Sequence, residues 1–358
     1  MSRPIRLALL GAGIFARNAH LPSLRALGDA FQIVAIYSPS GRSAQALVDD
    51  PANGLGDEVT VTTDLGEILG RADVEAVDVV LPIHAMPGVV EVALSAGKHV
   101  ISETPIAPDL APARPLLDVY ATTRVLFPGQ QWMVGENWRY EPAFVAAARL
   151  IRAGAIGRPI TFHWAFSLPM TPESHYYHTA WRRDGTMPGG FVLDAGVHHM
   201  AALRLVLGEI IAVQAAVTAM RPDLPPVDTA AAVLTLDSGQ SEGRGLIGTY
   251  AVTFAPDRHH SGGRPGDVPL TVVGADGVLR VSRTLLEVEV GGQIQPHLVQ
   301  GLRGVEYELS AFAAAIRDGT AHANPPEAGL ADLAAVMALL ASSSTGQAIH
   351  LSPGSALG

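Results

Sequence analysis

Leu7-Ala8-Leu9-Leu10-Gly11-Ala12-Gly13-Ile14-Phe15-Ala16 is an apolar run that ends in Gly-x-Gly-x-x-Ala. This is the pattern by which a first strand passes a pyrophosphate to the N-terminus of a first helix. Gly11 permits the tight turn, Gly13 lets backbone approach phosphate oxygens, and Ala16 is small enough for helix and strand to pack. Ala12, Ile14 and Phe15 fill the loop between them. A secretory leader has a similar outline, since Arg3 and Arg6 precede an apolar run that ends in small residues. The residues beyond decide for the nucleotide loop, because they repeat a strand-then-helix rhythm.

A chain of 358 residues predicts two domains with a sizeable core. Hydrophobic residues make up 48% and charged residues 16%, which describes a dense, alanine-rich globule. No stretch of about 18 uninterrupted apolar residues occurs, so no membrane span is expected. The net charge of −10, without a basic cluster, argues against nucleic acid or an anionic membrane as partner. Cysteine is absent, which excludes disulfides, thiolate zinc sites and cysteine nucleophiles and fits a cytoplasmic protein. Lys98 is the only lysine among 24 basic side chains.

In chain order, His20-Leu21-Pro22 should break the first helix, which resumes through Leu27. Phe31–Tyr37 is the second strand. Dinucleotide enzymes place an acidic residue at the end of that strand to hold the adenosine ribose 2′-hydroxyl. Here it ends Tyr37-Ser38-Pro39-Ser40-Gly41-Arg42, with hydroxyls and an arginine but no carboxylate. The reading is NADP(H) in preference to NAD(H), with Ser38, Ser40 and Arg42 at a 2′-phosphate; the alternative is a polar turn capping a helix from Ser43. Val59–Thr62 reads as a strand, Asp64–Leu69 as a capped helix and Val74–Ile83 as a buried strand. His84 opens the turn into a helix at Met86–Ser95, Gly97 caps it, and Lys98–Glu103 is the next strand. A helix near Leu110–Thr123 and a strand near Gln131–Glu136 complete a parallel, doubly wound sheet. Gly11, Ser38, Leu81-Pro82 and Glu103-Thr104-Pro105 fall at the carboxyl edge, where such sheets bind ligands.

Beyond this the rhythm changes. Glu141–Ala153 looks like an amphipathic helix, followed by strands without intervening helices near Ile160–Phe166, Ile211–Ala219, Thr229–Leu236, Leu246–Phe254, Leu270–Val273, Val278–Val281 and Leu285–Val290. Successive strands joined by turns predict a mostly antiparallel, open sheet in an α+β domain. Two helices, near Val305–Arg317 and Glu327–Ser343, close the chain. The expected division is a Rossmann domain at 1–137 and a second domain at 138–358. Asp257–Asp267, with His259-His260, reads as a solvated loop rather than a metal site; no metal is expected.

The second constellation is Trp181-Arg182-Arg183-Asp184 followed by Gly189-Gly190-Phe191-Val192-Leu193-Asp194-Ala195-Gly196-Val197-His198-His199. On a helix starting near Leu193, Asp194 and His198 share one face. A carboxylate there fixes the imidazole tautomer and raises its pKa, as suits an acid or base working near neutrality. The alternative is an ordinary i, i+4 pair on a helix, with His199 turned into packing.

These motifs, in this order and spacing, resemble the Gfo/Idh/MocA oxidoreductases: Gly11–Ala16, Ala96-Gly97-Lys98-His99-Val100-Ile101-Ser102-Glu103-Thr104-Pro105, Asn137-Trp138-Arg139-Tyr140, Trp181-Arg182, and Gly189-Gly190 through Asp194 and His198. The resemblance spans nearly the whole chain. It implies NAD(P)-dependent oxidation or reduction of a sugar, polyol or related carbonyl, in a homo-oligomer such as a dimer or tetramer. His198 would carry the proton and Asp194 orient it, with Arg139 and Tyr140 also at the substrate. Leu81, Pro82, His84, Glu103, Thr104 and Arg182 would join the Gly loop around the cofactor. The family's Glu-Lys-Pro is Glu103-Thr104-Pro105 here, so the usual lysine is missing. Threonine brings no positive charge to a developing alkoxide, and loss of such a donor costs on the order of 10²–10³ in rate. Two other readings therefore stand beside the enzyme: a dinucleotide-binding sensor with weak or no catalysis, and an NAD-dependent glycoside hydrolase.

Overall fold

Six parallel strands form the first sheet in the computed structural model, which describes residues 3–56, 58–237, 239, 245–258, 267–299 and 301–352. They are β1 (Ile5–Leu10), β2 (Phe31–Tyr37), β3 (Thr60–Thr62), β4 (Ala76–Val79), β5 (His99–Ser102) and β6 (Trp132–Val134), in the order β3-β2-β1-β4-β5-β6. The order reverses between β1 and β4, which creates the crevice where dinucleotides bind in such sheets. Leu7, Leu9, Leu10 and all of β4 are buried, as strands covered on both faces must be. The connecting helices are α1 (Leu21–Ala26), α2 (Arg42–Val48), α3 (Leu65–Gly70), α4 (Met86–Ser95) and α5 (Leu110–Leu126). Asp64 caps α3 by accepting from the Gly66 and Glu67 N–H groups.

Two local expectations need correction. β4 is shorter than Val74–Ile83: beyond Val79 the chain turns through Pro82, whose carbonyl accepts from Ala85 N–H and whose own nitrogen can donate nothing to a ladder. At His20-Leu21-Pro22 the helix does not break. Ala16–His20 is a widened π-turn in which Leu21 N–H bonds the Ala16 carbonyl, and it runs directly into α1. Pro22 then sits in the first turn of α1, where a missing N–H costs little.

The second sheet has nine strands: β7 (Pro159–Ser167), β8 (Glu209–Thr218), β9 (Thr229–Asp237), β10 (Leu246–Thr253), β11 (Leu270–Gly274), β12 (Gly277–Val281), β13 (Leu286–Val290), β14 (Gln293–Pro296) and β15 (Ile349–His350). Its order is β14-β13-β12-β11-β7-β10-β9-β8-β15, with β7 and β10 parallel and the other pairs antiparallel. The helices later in the chain are α6 (Pro142–Arg152), α7 (Ala180–Arg183), α8 (Gly190–Leu207), α9 (Gly304–Asp318) and α10 (Pro326–Thr345). By length and composition α8 and α10 are apolar enough to cross a membrane, but 72% and 56% of their apolar windows are buried inside the protein. A Cβ on Gly196 of α8 would lie 3.1 Å from Val336 of α10, so these two helices pack closely.

The chain divides into two compact units, 1–137 with 305–329, and 138–304 with 330–358. A single cut at 137 therefore misses the return of the chain. Leu309, Phe312 and Ala313 of α9 share a core with Ile5, Leu7, Leu24, Phe31, Ile101 and Met133, so burial returns this helix to the first unit. The His259-His260 loop lies outside the described residues.

Candidate functional site

In the first unit the Gly loop has the geometry its sequence demands. Gly11 has φ +121°, and a Cβ there would lie 2.1 Å from the Val80 carbonyl oxygen, so only glycine fits against the end of β4. A Cβ on Gly13 would meet nothing within 4 Å, which leaves its backbone open to a phosphate. Ala16 is fully buried, and the turn that follows starts with Arg17 N–H bonded to the Gly13 carbonyl. A cradle with one tight and one open glycine at a helix start fits a dinucleotide pyrophosphate.

The other residues expected around a cofactor divide by exposure. Ser38 is buried, and its Oγ accepts from Ala44 N–H at 3.3 Å, so this hydroxyl is spent on the start of α2. Ser40 and Arg42 are exposed, with Arg42 the first residue of α2. Leu81 and Pro82 are half-buried after β4, and His84 is exposed. Glu103 and Thr104 follow β5, and the Glu103 carboxylate accepts from Thr104 N–H at 3.3 Å. Lys98 sits at the opposite end of β5, its ammonium donating to the Arg71 and Val74 carbonyls at 2.8 and 2.9 Å. Burial pushes its pKa down, and it is no stand-in for a lysine at position 104.

A group that sequence reasoning missed lies beneath this edge. His20 is fully buried, with Nδ1 2.7 Å from Asp78 Oδ2 and Nε2 2.8 Å from Glu103 Oε1. Burial opposes charge on the ring, but Asp78 and Glu103 outweigh it and hold the His20 pKa well above its ordinary value. Glu308 of α9 is also buried; burial first, and then the Glu103 charge, raise its pKa well above the carboxylate range. One sequence signal was available: Asp78 is the lone charge in an apolar strand.

In the second unit, Gly190 starts α8 at φ +51°, where a Cβ would lie 2.8 Å from the Pro225 carbonyl oxygen. α8 then presents Asp194 and His198 one turn apart, as the spacing requires. Both Asp194 oxygens accept from Arg182: Nε reaches Oδ2 at 2.8 Å and Nη2 reaches Oδ1 at 3.4 Å. Arg182 was expected at the cofactor; its observed partner is Asp194. Its guanidinium also lies over the Trp181 ring at 3.9 Å and the Tyr176 ring at 5.0 Å. His198 is half-buried and stacks on Trp138, with ring centroids 5.8 Å apart and planes 15° from parallel. His199 is sealed inside, stacked on Phe166 at 3.9 Å with Nδ1 2.7 Å from Tyr250 Oη. Burial, and after it the neighbouring His198, push the His199 pKa well below its ordinary value. Two adjacent histidines thus have different characters: one accessible, one a neutral packing group.

Arg139 is a correction. It is buried, and its Nη2 lies 2.6 Å from each oxygen of Asp332, which also accepts from Arg204 at 2.5 Å. An arginine so committed holds the helices of its own unit together and is not a free arm for substrate. Tyr140 is half-buried in the short turn Asn137–Tyr140.

Residues 5–128 match an oxidoreductase family described by its NAD-binding Rossmann fold, and residues 144–280 match the GFO/IDH/MocA C-terminal domain. Dehydrogenase FPY6 of Fusarium mangiferae is 32% identical to this chain, over 94% of it and 96% of its own length. D-apiose dehydrogenase of Paraburkholderia graminis is 29% identical, over 77% of this chain and 67% of its own. The crystal structure of an oxidoreductase from Thermotoga maritima matches with a TM-score of 0.85 at 28% identity, over 97% of this chain and 98% of the other.

Proposed function

The chain belongs to the Gfo/Idh/MocA oxidoreductases, and from that premise we propose that it oxidises or reduces a sugar, polyol or related carbonyl compound with a nicotinamide dinucleotide. The observation that carries this reading is the contrast on α8: His198 is accessible while its neighbour His199 is sealed. When bound, the nicotinamide supplies the hydride acceptor or donor. His198 then takes the hydroxyl proton in oxidation and returns it in reduction. Asp194 helps orient substrate with its charge balanced by Arg182, and Tyr140 is a further substrate contact in this reading. Thr104 offers a hydroxyl where the family's lysine offers charge, so the reaction is slow but real. A relative named for D-apiose supports a sugar as substrate. The named relatives give no support to the sensor or glycoside-hydrolase readings. The test is a panel of aldoses, ketoses and polyols with both dinucleotides in both directions, followed by reduced-nicotinamide absorbance. Turnover of none of them would overturn the reading.

The cofactor in this reading is NADP(H) in preference to NAD(H). Arg42, exposed at the start of α2, and Ser40 beside it meet the 2′-phosphate with charge-assisted hydrogen bonds. The protein works in the cytoplasm as a homo-oligomer. The face proposed for assembly lies on the open sheet of the second unit, and strand register defines which side it is. Register pairs Gln214 with Val233 and Ala216 with Ala231, and directly paired residues share a face. Val213 is buried on the other side, where Ala215 and Val217 N–H groups donate to Ser342 and Ser343 of α10. Ala231, Val233 and Ile247 instead stand on the exposed side, and this is the surface offered to a second subunit.

A further inference from the structure

We propose that His20 is a positioning residue of the dinucleotide site: clamped between Asp78 and Glu103, it fixes the Glu103 carboxylate and, through it, the Thr104 N–H in register with the Gly11–Ala16 loop. The proposal rests on the reading that this loop binds a dinucleotide.

The geometry gives both ring nitrogens a carboxylate partner. Two carboxylate oxygens lie 2.7 and 2.8 Å from the two ring nitrogens. A neutral imidazole has one N–H to give, whereas a charged ring donates to both carboxylates at once. Asp78 and Glu103 outweigh the burial that opposes this charge and raise the His20 pKa well above its ordinary value. A buried ionic group of this kind is seldom the most stable filling for its volume. Here it is also incomplete: Asp78 Oδ1 and both Glu308 carboxylate oxygens are buried without a hydrogen-bond partner among the described residues. A costly arrangement at the carboxyl edge of a parallel sheet, where ligands bind, points to a role beyond packing.

The mechanical connections run both ways from the ring. His20 ends the π-turn that begins at the Gly loop, and its ring meets Phe15 edge-on at 5.2 Å. On its far side it holds Glu103 Oε1, while Glu103 Oε2 accepts from Thr104 N–H. Glu103 lies against Gly135, where a Cβ would come within 2.9 Å of Oε1, so the carboxylate occupies space that any larger residue at 135 would contest. The titratable groups around the ring come from four elements: Asp78 on β4, Glu103 after β5, Glu136 after β6 and Glu308 on α9, whose raised pKa favours its neutral form. Without the charged ring Asp78 and Glu103 lose the group that joins them, Glu103 shifts, and negative charge lies under a loop built to hold an anion.

The experiment measures NADPH and NADH affinity by fluorescence titration for the wild type, His20→Gln, Glu103→Gln and the double variant. Circular dichroism checks that each is folded. Each single change should weaken binding about tenfold, and the double should be no worse than the weaker single, the non-additivity of residues that act together. Wild-type affinity should also fall as pH rises from neutral into the alkaline range and the imidazolium is lost. That fall should move toward neutrality in Glu103→Gln, where one carboxylate that holds the proton is gone. Folded variants with native affinity, or additive losses, overturn the proposal. If His20→Gln does not fold, the pH profiles decide alone: a flat wild-type profile, or one unmoved in Glu103→Gln, overturns it. A wild type that binds neither dinucleotide overturns the cofactor reading and this proposal together, whereas tight wild-type binding unchanged in the variants overturns only the role of His20.

Discussion

Arg182 holds Asp194 at two points, Nε to Oδ2 at 2.8 Å and Nη2 to Oδ1 at 3.4 Å, while its guanidinium lies on the Trp181 ring. A carboxylate gripped in this way has a fixed direction and a compensated charge. It can orient a hydroxyl group presented to it. Arg182→Ala frees the carboxylate and should lower kcat/KM about tenfold or more, with dinucleotide affinity little changed. Arg182→Lys keeps the charge but loses the planar fork, so it should recover only part of the loss. Full activity in Arg182→Ala would show that the pair has no part in catalysis.

His198→Ala removes the proposed proton carrier and should cost about 10²–10⁴ in kcat. Affinity for NADPH should survive, because the Gly loop proposed to hold the dinucleotide belongs to the other unit. Steady-state kinetics and a binding titration on the same sample separate the two effects. If turnover persists, Tyr140, Tyr176 and His178 are the next candidates for the proton carrier.

Much of this architecture is legible in the sequence. Strand β2 and helix α4 fall at the expected residues because an apolar run and its capping signals are local properties. The π-turn at Ala16–His20 is not legible, since nothing in the local sequence distinguishes a widened turn from a break before Pro22. Nor is the return of α9 to the first unit, because the periodicity of Leu309 and Phe312 shows an apolar face but not its partner. In the site, the i, i+4 spacing puts Asp194 and His198 on one face, and the contrast between His198 and His199 follows from it. The long-range partners escape: Arg182 on Asp194, Arg139 on Asp332, and His20 between Asp78 and Glu103. Each joins residues far apart in the chain, and sequence spacing says nothing about them. β14 and β15 are missed because one is exposed along its whole length and the other is two residues long.

Arg42→Ala should weaken NADPH binding about tenfold to a hundredfold and leave NADH nearly unchanged, the scale of one charge-assisted hydrogen bond. Ser38→Ala should affect neither cofactor selectively, because its hydroxyl is spent on Ala44 N–H. It should instead lower the melting temperature slightly. Calorimetric titration with both dinucleotides checks each part; an equal loss for both cofactors in Arg42→Ala would count against a 2′-phosphate contact.

Stability should have a limit on each side of neutrality, for opposite reasons. The folded-state pKa of His20 is raised, so its contribution is complete below the unfolded value of about 6.5 and is lost as pH climbs through the folded value. The folded-state pKa of His199 is lowered. The unfolded chain therefore takes up a proton below about 6.5 that the native state refuses, and stability falls on the acid side. Melting temperatures measured across this range should show both limbs. In His20→Gln the alkaline limb should flatten while the acid limb remains, and an unchanged alkaline limb would remove His20 as its cause.

The substitution of threonine at 104 gives the sharpest test of the reaction itself. Hydride transfer needs a nicotinamide held in place and one group to exchange the hydroxyl proton; in the proposed function the Gly loop answers the first need and His198 the second. In the same proposal position 104 adds electrostatic stabilisation of the developing alkoxide, which a threonine hydroxyl would provide weakly and an ammonium strongly. Thr104 is half-buried and its N–H is bonded to the preceding carboxylate, so a longer side chain can be introduced without removing a backbone contact. Thr104→Lys should therefore raise kcat, by up to about 10²-fold, with dinucleotide affinity nearly unchanged. Thr104→Met fills a similar length without the charge and should give no gain, which separates electrostatics from packing. A Lys variant no faster than the Met variant would mean that the site has already replaced the missing cation. No measurable turnover in the wild type or in Thr104→Lys, despite tight NADPH binding, would transfer the protein to the sensor reading.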